Sequence, residues 1–141
     1  MRLPIQLIQG EDNRLVEAVL TDLAETHLND FDTLWKPMLR QVAAEDNFWD
    51  WVVKKRISIS SDNFENDAVE RNGVAHGLIT LETQWHRSWI ERDQRLVYMK
   101  ALSSAPWNRV MIQQPPTFKG VGHCCSILLS SAVCNLAMAE G

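Results

Sequence analysis

The sequence predicts a single α+β (mixed α/β) domain spanning residues 1–141. Three observations predict it. Apolar and polar residues alternate at the N-terminus and again across the middle of the chain, while the stretch between repeats its apolar residues at helical spacing. Asn72-Gly73 separates two apolar runs, which is a strong hairpin signal. The 141 residues are 45% hydrophobic and 23% charged, enough for one sizeable core and too apolar for a disordered chain.

Leu3 to Gln9 reads as a strand, with Ile5 and Leu7 sharing one face and Gln6 on the other. Glu11-Asp12-Asn13 reads as a helix start, its acidic groups placed where the helix dipole favours them. Val16, Val19, Leu20, Leu23 and His27 then recur at helical spacing, which predicts a helix over 13–28 ended by Asn29-Asp30. A second helix is expected from Asp32, with Trp35, Met38, Leu39 and Val42 as its apolar stripe and Pro37 in its first turn. A third helical segment covers 44–55, with Phe48, Trp51 and Val52 on one face and Lys54-Lys55-Arg56 at its C-terminal end.

Ser58 to Asp67 is polar and turn-like. Ala68 to Arg71 and Val74 to Glu82 are the two arms of the predicted hairpin. Arg95 to Leu102 is a further strand, with Val97, Met99 and Ala101 on an apolar face. Pro115-Pro116 breaks the chain, and Gly120 and Gly122 precede a helical stretch from His123. The sequence holds no internal repeat and no linker.

Composition narrows the function. The net charge of −4 offers no overall basic excess, so no nucleic acid partner is expected and the Lys54-Lys55-Arg56 run reads as a solvated helix end. Cys124, Cys125 and Cys134 are an odd number crowded near the C-terminus, without CxxC or HxxxH spacing. They read as reduced thiols, and no metal site is expected. The N-terminus lacks the apolar core of a signal peptide, which places the protein in the cytoplasm. Gly120 to Ala139 runs 20 residues without a formal charge, the length of a membrane span. Glycines, serines, His123 and Asn135 dilute it, so a buried helix or terminal tail is expected, with no membrane partner.

The stretch richest in chemistry is Leu96 to Arg109 followed by Pro115 to His123: an apolar strand, a loop, a glycine-containing turn and a helix start. Backbone N–H groups at such a turn point into one space, the helix dipole adds positive charge there, and glycines let a phosphate approach. A pyrophosphate-containing ligand suits it, and a plain glycine turn is the alternative.

The strand, Ala105-Pro106-Trp107-Asn108-Arg109 and Phe118-Lys119-Gly120-Val121-Gly122 together resemble the core of the GNAT-type N-acetyltransferases, over residues 3–123. The family motif is Gln/Arg-x-x-Gly-x-Gly/Ala; both glycines match, while Thr117 stands where the family has Gln or Arg. The resemblance implies a GNAT-like antiparallel-to-mixed sheet flanked by helices. It also implies acetyl-CoA as cosubstrate, with the pantetheine arm on the backbone of Ala101, Leu102 and Ser103 and the pyrophosphate on Lys119, Gly120, Val121, Gly122 and His123. The implied reaction is acetyl transfer to an amine acceptor on a small molecule or peptide.

Beyond His123 the sequence departs from the family, because the run from Cys124 to Cys134 has none of the charge of an amphipathic helix. That predicts a missing or divergent C-terminal portion, impaired catalysis and a homodimer that covers an exposed strand edge. The rival reading is a non-catalytic dimeric GNAT-like interaction module.

Direct transfer to an amine needs a proton acceptor. Glu82, at the end of its predicted strand, is the candidate base, and His76 is the second titratable group in that strand. Tyr98, the only tyrosine, shares a face with Leu96 and Lys100 and is the candidate catalytic residue lining the acceptor cleft. Lys100 on that face would repel an ammonium. Cys124 at the helix start and His123 read as structural. Trp85 and Trp89 follow a strand in polar company and read as a lid or interface patch.

Overall fold

The computed structural model describes residues 2–87, 90 and 95–122. The chain opens with a hairpin of β1 (Arg2–Gln9) and β2 (Leu15–Asp22), paired from Arg2–Thr21 to Ile8–Leu15. The helix expected over 13–28 is therefore a strand followed by a short helix. Glu11-Asp12-Asn13 does not start a helix but turns the hairpin. Asn13 sits at φ 59°, its N–H bonds the Gln9 carbonyl, and Asp12 accepts from the Arg14 N–H. Asp and Asn serve a turn as readily as a cap. The β2 sequence carries apolar residues at period 2 as well as at helical spacing, and pairing with β1 decides between them: Ala18 and Leu20 go into the core.

The helical layer begins later than expected. It runs through α1 (Glu25–Asp30), a π-helical segment Phe31–Trp35 and α2 (Lys36–Gln41). His27 ties its start: its Nδ1 accepts from the Ala24 N–H at 2.9 Å, and its Nε2 lies 2.6 Å from Glu70 Oε2. Pro37 falls in the first turn of α2, as its missing N–H favours. Of the expected stripe, Trp35 and Leu39 are buried and Val42 is exposed.

The segment expected over 44–55 splits. A 3-10 turn (Glu45–Phe48) leads to α3 (Trp51–Ser60), whose N-cap Asp50 accepts from the Val53 N–H at 3.1 Å. Phe48 and Val52 are exposed, and Trp51 alone of that trio is buried. Ser58 and Ser60 continue the helix, where a polar turn was expected, and their hydroxyls donate back to the Lys55 and Ile57 carbonyls within it.

Three more strands follow: β3 (Phe64–Arg71), β4 (Val74–Arg87) and β5 (Arg95–Ser104). Asn72 and Gly73, both at positive φ, make the β3–β4 turn. A two-residue β6 (Phe118–Lys119) closes the far edge beside β1. The sheet order is β5-β4-β3-β2-β1-β6, and every pairing is antiparallel, with no parallel pair among the described residues.

One face packs Leu7, Leu20, Val69, Ile79 and Leu81 under Phe118 and Val121. The other packs Ala68, Ala75, Leu78 and Ala101 against Leu28, Phe31, Trp35, Leu39 and Trp51 of the helices. Fully burying each of these large side chains contributes about 1.5–3 kcal/mol. Between Thr80 and Leu81 the β4–β5 register skips from Ala101 to Met99, leaving Lys100 as an extra residue. This bulge overturns the expected shared face: Val97 and Met99 pack with the first core and Ala101 with the second.

Candidate functional site

Strand β5 ends the sheet, and among the described residues no strand pairs with its outer side. The Ala105 N–H donates to the His76 carbonyl at 2.9 Å. Strand alternation then turns the backbone groups of Ala101 and Ser103 toward β4 and those of Leu102 and Ser104 outward. The Ser104 carbonyl is engaged, accepting from Arg109 Nε at 3.0 Å and Nη2 at 2.7 Å. Leu102 thus presents its backbone at the open edge.

The glycine turn lies against the same place. Gly120 has φ 84° and open space around it, while a Cβ on Gly122 would lie 3.9 Å from Leu102 Cδ2. Val121 is buried and reaches across the sheet to Gly77, where an added Cβ would stand 2.7 Å from Val121 Cγ1. Gly120 is therefore required by its backbone conformation, and Gly77 by the close approach of Val121. Lys119 is exposed, and its ammonium donates to Asn13 Oδ1 at 2.9 Å. His123 lies outside the described residues.

The Ala105–Asn108 loop fixes this arrangement. His76 is buried, and its Nδ1 accepts from Trp107 Nε1 at 3.0 Å. Its ring meets Trp107 and Phe118 edge-on, with centroids 5.7 and 4.9 Å away. Burial, with help from the Arg71 charge, brings its pKa down to about 4, so the ring is a neutral core histidine. Asn108 Oδ1 accepts from the Phe118 N–H at 2.9 Å.

Arg109 reaches Asp46 with both terminal nitrogens, Nη1 at 3.0 Å from Oδ1, and Asp46 also accepts from the Ser103 hydroxyl. Burial works to raise the Asp46 carboxyl, but the bonds from Arg109 and Ser103 outweigh it and hold the pKa below the ordinary value. Asp46 and Arg109 carried no predicted role, because nothing in their spacing announces a pair 63 residues apart in sequence.

The two candidate catalytic residues are brought together. Glu82 and Tyr98 are direct partners across β4 and β5, and Phe64 faces Glu82 from β3. Glu82 is neither exposed nor at a strand end, because β4 runs on to Arg87; its Oε1 accepts from Asn63 Nδ2 at 3.4 Å. Tyr98 is half exposed. Beside them lies a pocket of about 230 Å³ lined by Asp50, Val53, Lys54, Ile57, Phe64, Thr80 and Lys100. Lys100 Nζ sits 4.7 Å from the Phe64 ring centroid, and Lys54 is drawn below its ordinary pKa by burial and by the Lys100 charge. Cys124, Cys125, Cys134, Trp89 and the Trp85 side chain lie outside the described residues. Among the described residues, no helix is long and apolar enough to cross a membrane.

No family model matches the chain, and no curated protein matches its sequence. One solved structure is similar: AAC(6')-Iy in complex with the bisubstrate analogue CoA-S-monomethyl-acetylneamine. Its TM-score is 0.53 at 15% identity, covering 88% of this chain and 74% of that chain. The fold is GNAT-like. Within this GNAT-like fold, the helices cover one face, the glycine turn approaches from the other, and the bulge at Lys100 and the open edge of β5 lie between them. Bulges of this kind recur beside active sites, where they re-aim side chains and interrupt pairing.

Proposed function

We propose that this chain is a GNAT-type N-acetyltransferase that uses acetyl-CoA and acts on an amine of a small molecule or peptide. The observation that carries this reading is the meeting of the open β5 edge at Leu102 with the turn at Gly120–Gly122. An extended ligand with amide groups pairs with a free strand edge. A phosphate-bearing end fits backbone N–H groups at a glycine turn leading into a helix. The likeness to a structure holding a CoA-containing bisubstrate analogue supports the same ligand class.

In this reading Leu102, with Ala101 and Ser103 on either side, holds the pantetheine arm. Lys119, Gly120, Val121, Gly122 and His123 hold the pyrophosphate. Bound acetyl-CoA supplies an activated acetyl group as a thioester. Glu82 accepts the proton that an ammonium must lose before it attacks, and Tyr98 lines the path to it. The Lys54–Lys100 pocket takes the part of the acceptor remote from the amine, since two cations beside the ammonium would oppose its binding.

The test is calorimetric titration of the full chain with acetyl-CoA. Saturable binding is expected, together with a stabilisation of about 2.7 kcal/mol at 100 times Kd. Gly120→Val should weaken it at least tenfold, because the positive φ excludes a branched side chain. No binding at millimolar acetyl-CoA rejects the reading.

The β5 edge, unpaired among the described residues, also favours the second reading, a dimeric interaction module in which two copies pair along that edge. A concentration-dependent dimer that acetyl-CoA does not perturb would select it.

A further inference from the structure

Three carboxylates meet on the sheet face that also carries Val69, Ile79 and Leu81. Asp22 and Asp67 are direct partners across β2 and β3, and Glu65 lies two residues before Asp67, on the same side of its strand. One oxygen from each lies within 4.8 Å of the other two. Asp67 is 0% exposed, and neither of its carboxylate oxygens has a hydrogen-bond partner.

This arrangement is costly if left to itself. Like charges directly opposite on neighbouring strands destabilise a sheet. A carboxylate taken from water without a partner is among the most unfavourable groups to bury. The facing strand supplies Asp67 no hydrogen-bond partner, because Glu65 and Asp67 are paired with Leu81 and Ile79, both fully buried. A cation between converging carboxylates relieves both their repulsion and the cost of burying them. Oxygen-only ligands select a hard divalent ion. Ca²⁺–oxygen distances of about 2.4 Å suit one oxygen from each of three carboxylates gathered this closely.

We propose that Asp22, Glu65 and Asp67 form a divalent-cation site, of a size suited to Ca²⁺, that clamps β2 to β3 where the chain leaves the sheet for α1. Asp67 supplies the buried ligand, and Asp22 and Glu65 close the site from the two strands. The ion lies on the opposite sheet face from Glu82 and Tyr98, and its role is structural. Protein ligands on two adjacent strands oppose the separation of β2 from β3, which is the step that would release α1 from the sheet.

The experiment is thermal unfolding of the full chain, stripped with a chelator, in CaCl₂, MgCl₂ or MnCl₂, with NaCl matched for ionic strength. A saturable rise in Tm of roughly 5–10 °C is expected with the preferred cation. It should be abolished in Asp67→Asn and weakened at least tenfold in concentration dependence in Asp22→Asn. Glu17→Gln, on the exposed part of β2, should respond as the wild type does. If Asp67→Asn does not fold, loss of the response in Glu65→Gln carries the same conclusion. No response to any of the three ions, a response that NaCl reproduces, or one that survives in Asp67→Asn or Glu65→Gln overturns the proposal. The readout does not depend on acetyl-CoA, so its failure leaves the acetyltransferase reading standing.

Discussion

The Trp107 indole donates its Nε1–H to His76 Nδ1 at 3.0 Å, holding the imidazole in the tautomer with its free proton on Nε2. A proton on Nδ1 would place two donors against each other. That conflict agrees in direction with the pKa of about 4, set first by burial and then by Arg71. The ordinary value is about 6.5, so between the two the unfolded chain binds a proton that the folded chain refuses. Stability from this group is complete above the unfolded value and is lost as pH falls toward 4, by about 3 kcal/mol in total. His76→Gln keeps an acceptor for Trp107 and cannot titrate. Denaturant midpoints at pH 7 and pH 4.5 should therefore fall further in the wild type than in His76→Gln. Equal falls would show that His76 is not what couples this loop to pH.

Gly77 and Val121 make the second prediction. An added Cβ at Gly77 would stand 2.7 Å from Val121 Cγ1, and Val121 is a stiff, buried side chain between the two predicted phosphate-binding glycines. Gly77→Ala should destabilise the fold by about 1–3 kcal/mol through overpacking. It should also weaken acetyl-CoA binding, because relief requires the glycine turn to move. Adding Val121→Ala makes room, so the double variant should be more stable than the sum of the two single losses implies. Denaturant unfolding of all four proteins measures this, and strict additivity would show that the contact does not fix the turn.

The sequence already showed β1, the Asn72-Gly73 hairpin, the body of β4 and β5, and the glycine turn beside the last of these. Each depends on local chemistry: alternation, an obligate positive-φ turn, or glycines before a helix. The helix expected over 13–28 failed because Val16, Ala18 and Leu20 also recur at period 2, and the deciding partner, β1, is non-local. The bulge at Lys100 was invisible because register belongs to a pair of strands and not to one. The acidic cluster was hidden in the same way, since Asp22 and Asp67 meet only through the β2–β3 register. Reading the strand from Phe64 rather than Ala68 would have shown Glu65 and Asp67 pointing the same way as Val69.

Glu82 carries the last prediction. Its place in the middle of β4, opposite Tyr98 and within reach of Asn63, fixes the carboxylate beside the Lys54–Lys100 pocket. A group held this way suits proton acceptance, because its position is set by the sheet and does not depend on a mobile loop. Glu82→Gln preserves size and can still accept from Asn63, so the fold should be kept and Tm should move by no more than a few degrees. If Glu82 takes the amine proton, kcat should fall by roughly 100-fold or more while the KM for acetyl-CoA stays within about twofold. A purely structural Glu82 would instead lower Tm and leave kcat of the remaining folded protein intact. Measuring kcat, KM and Tm on one preparation separates the two, and an unchanged kcat would show that Glu82 is not the base.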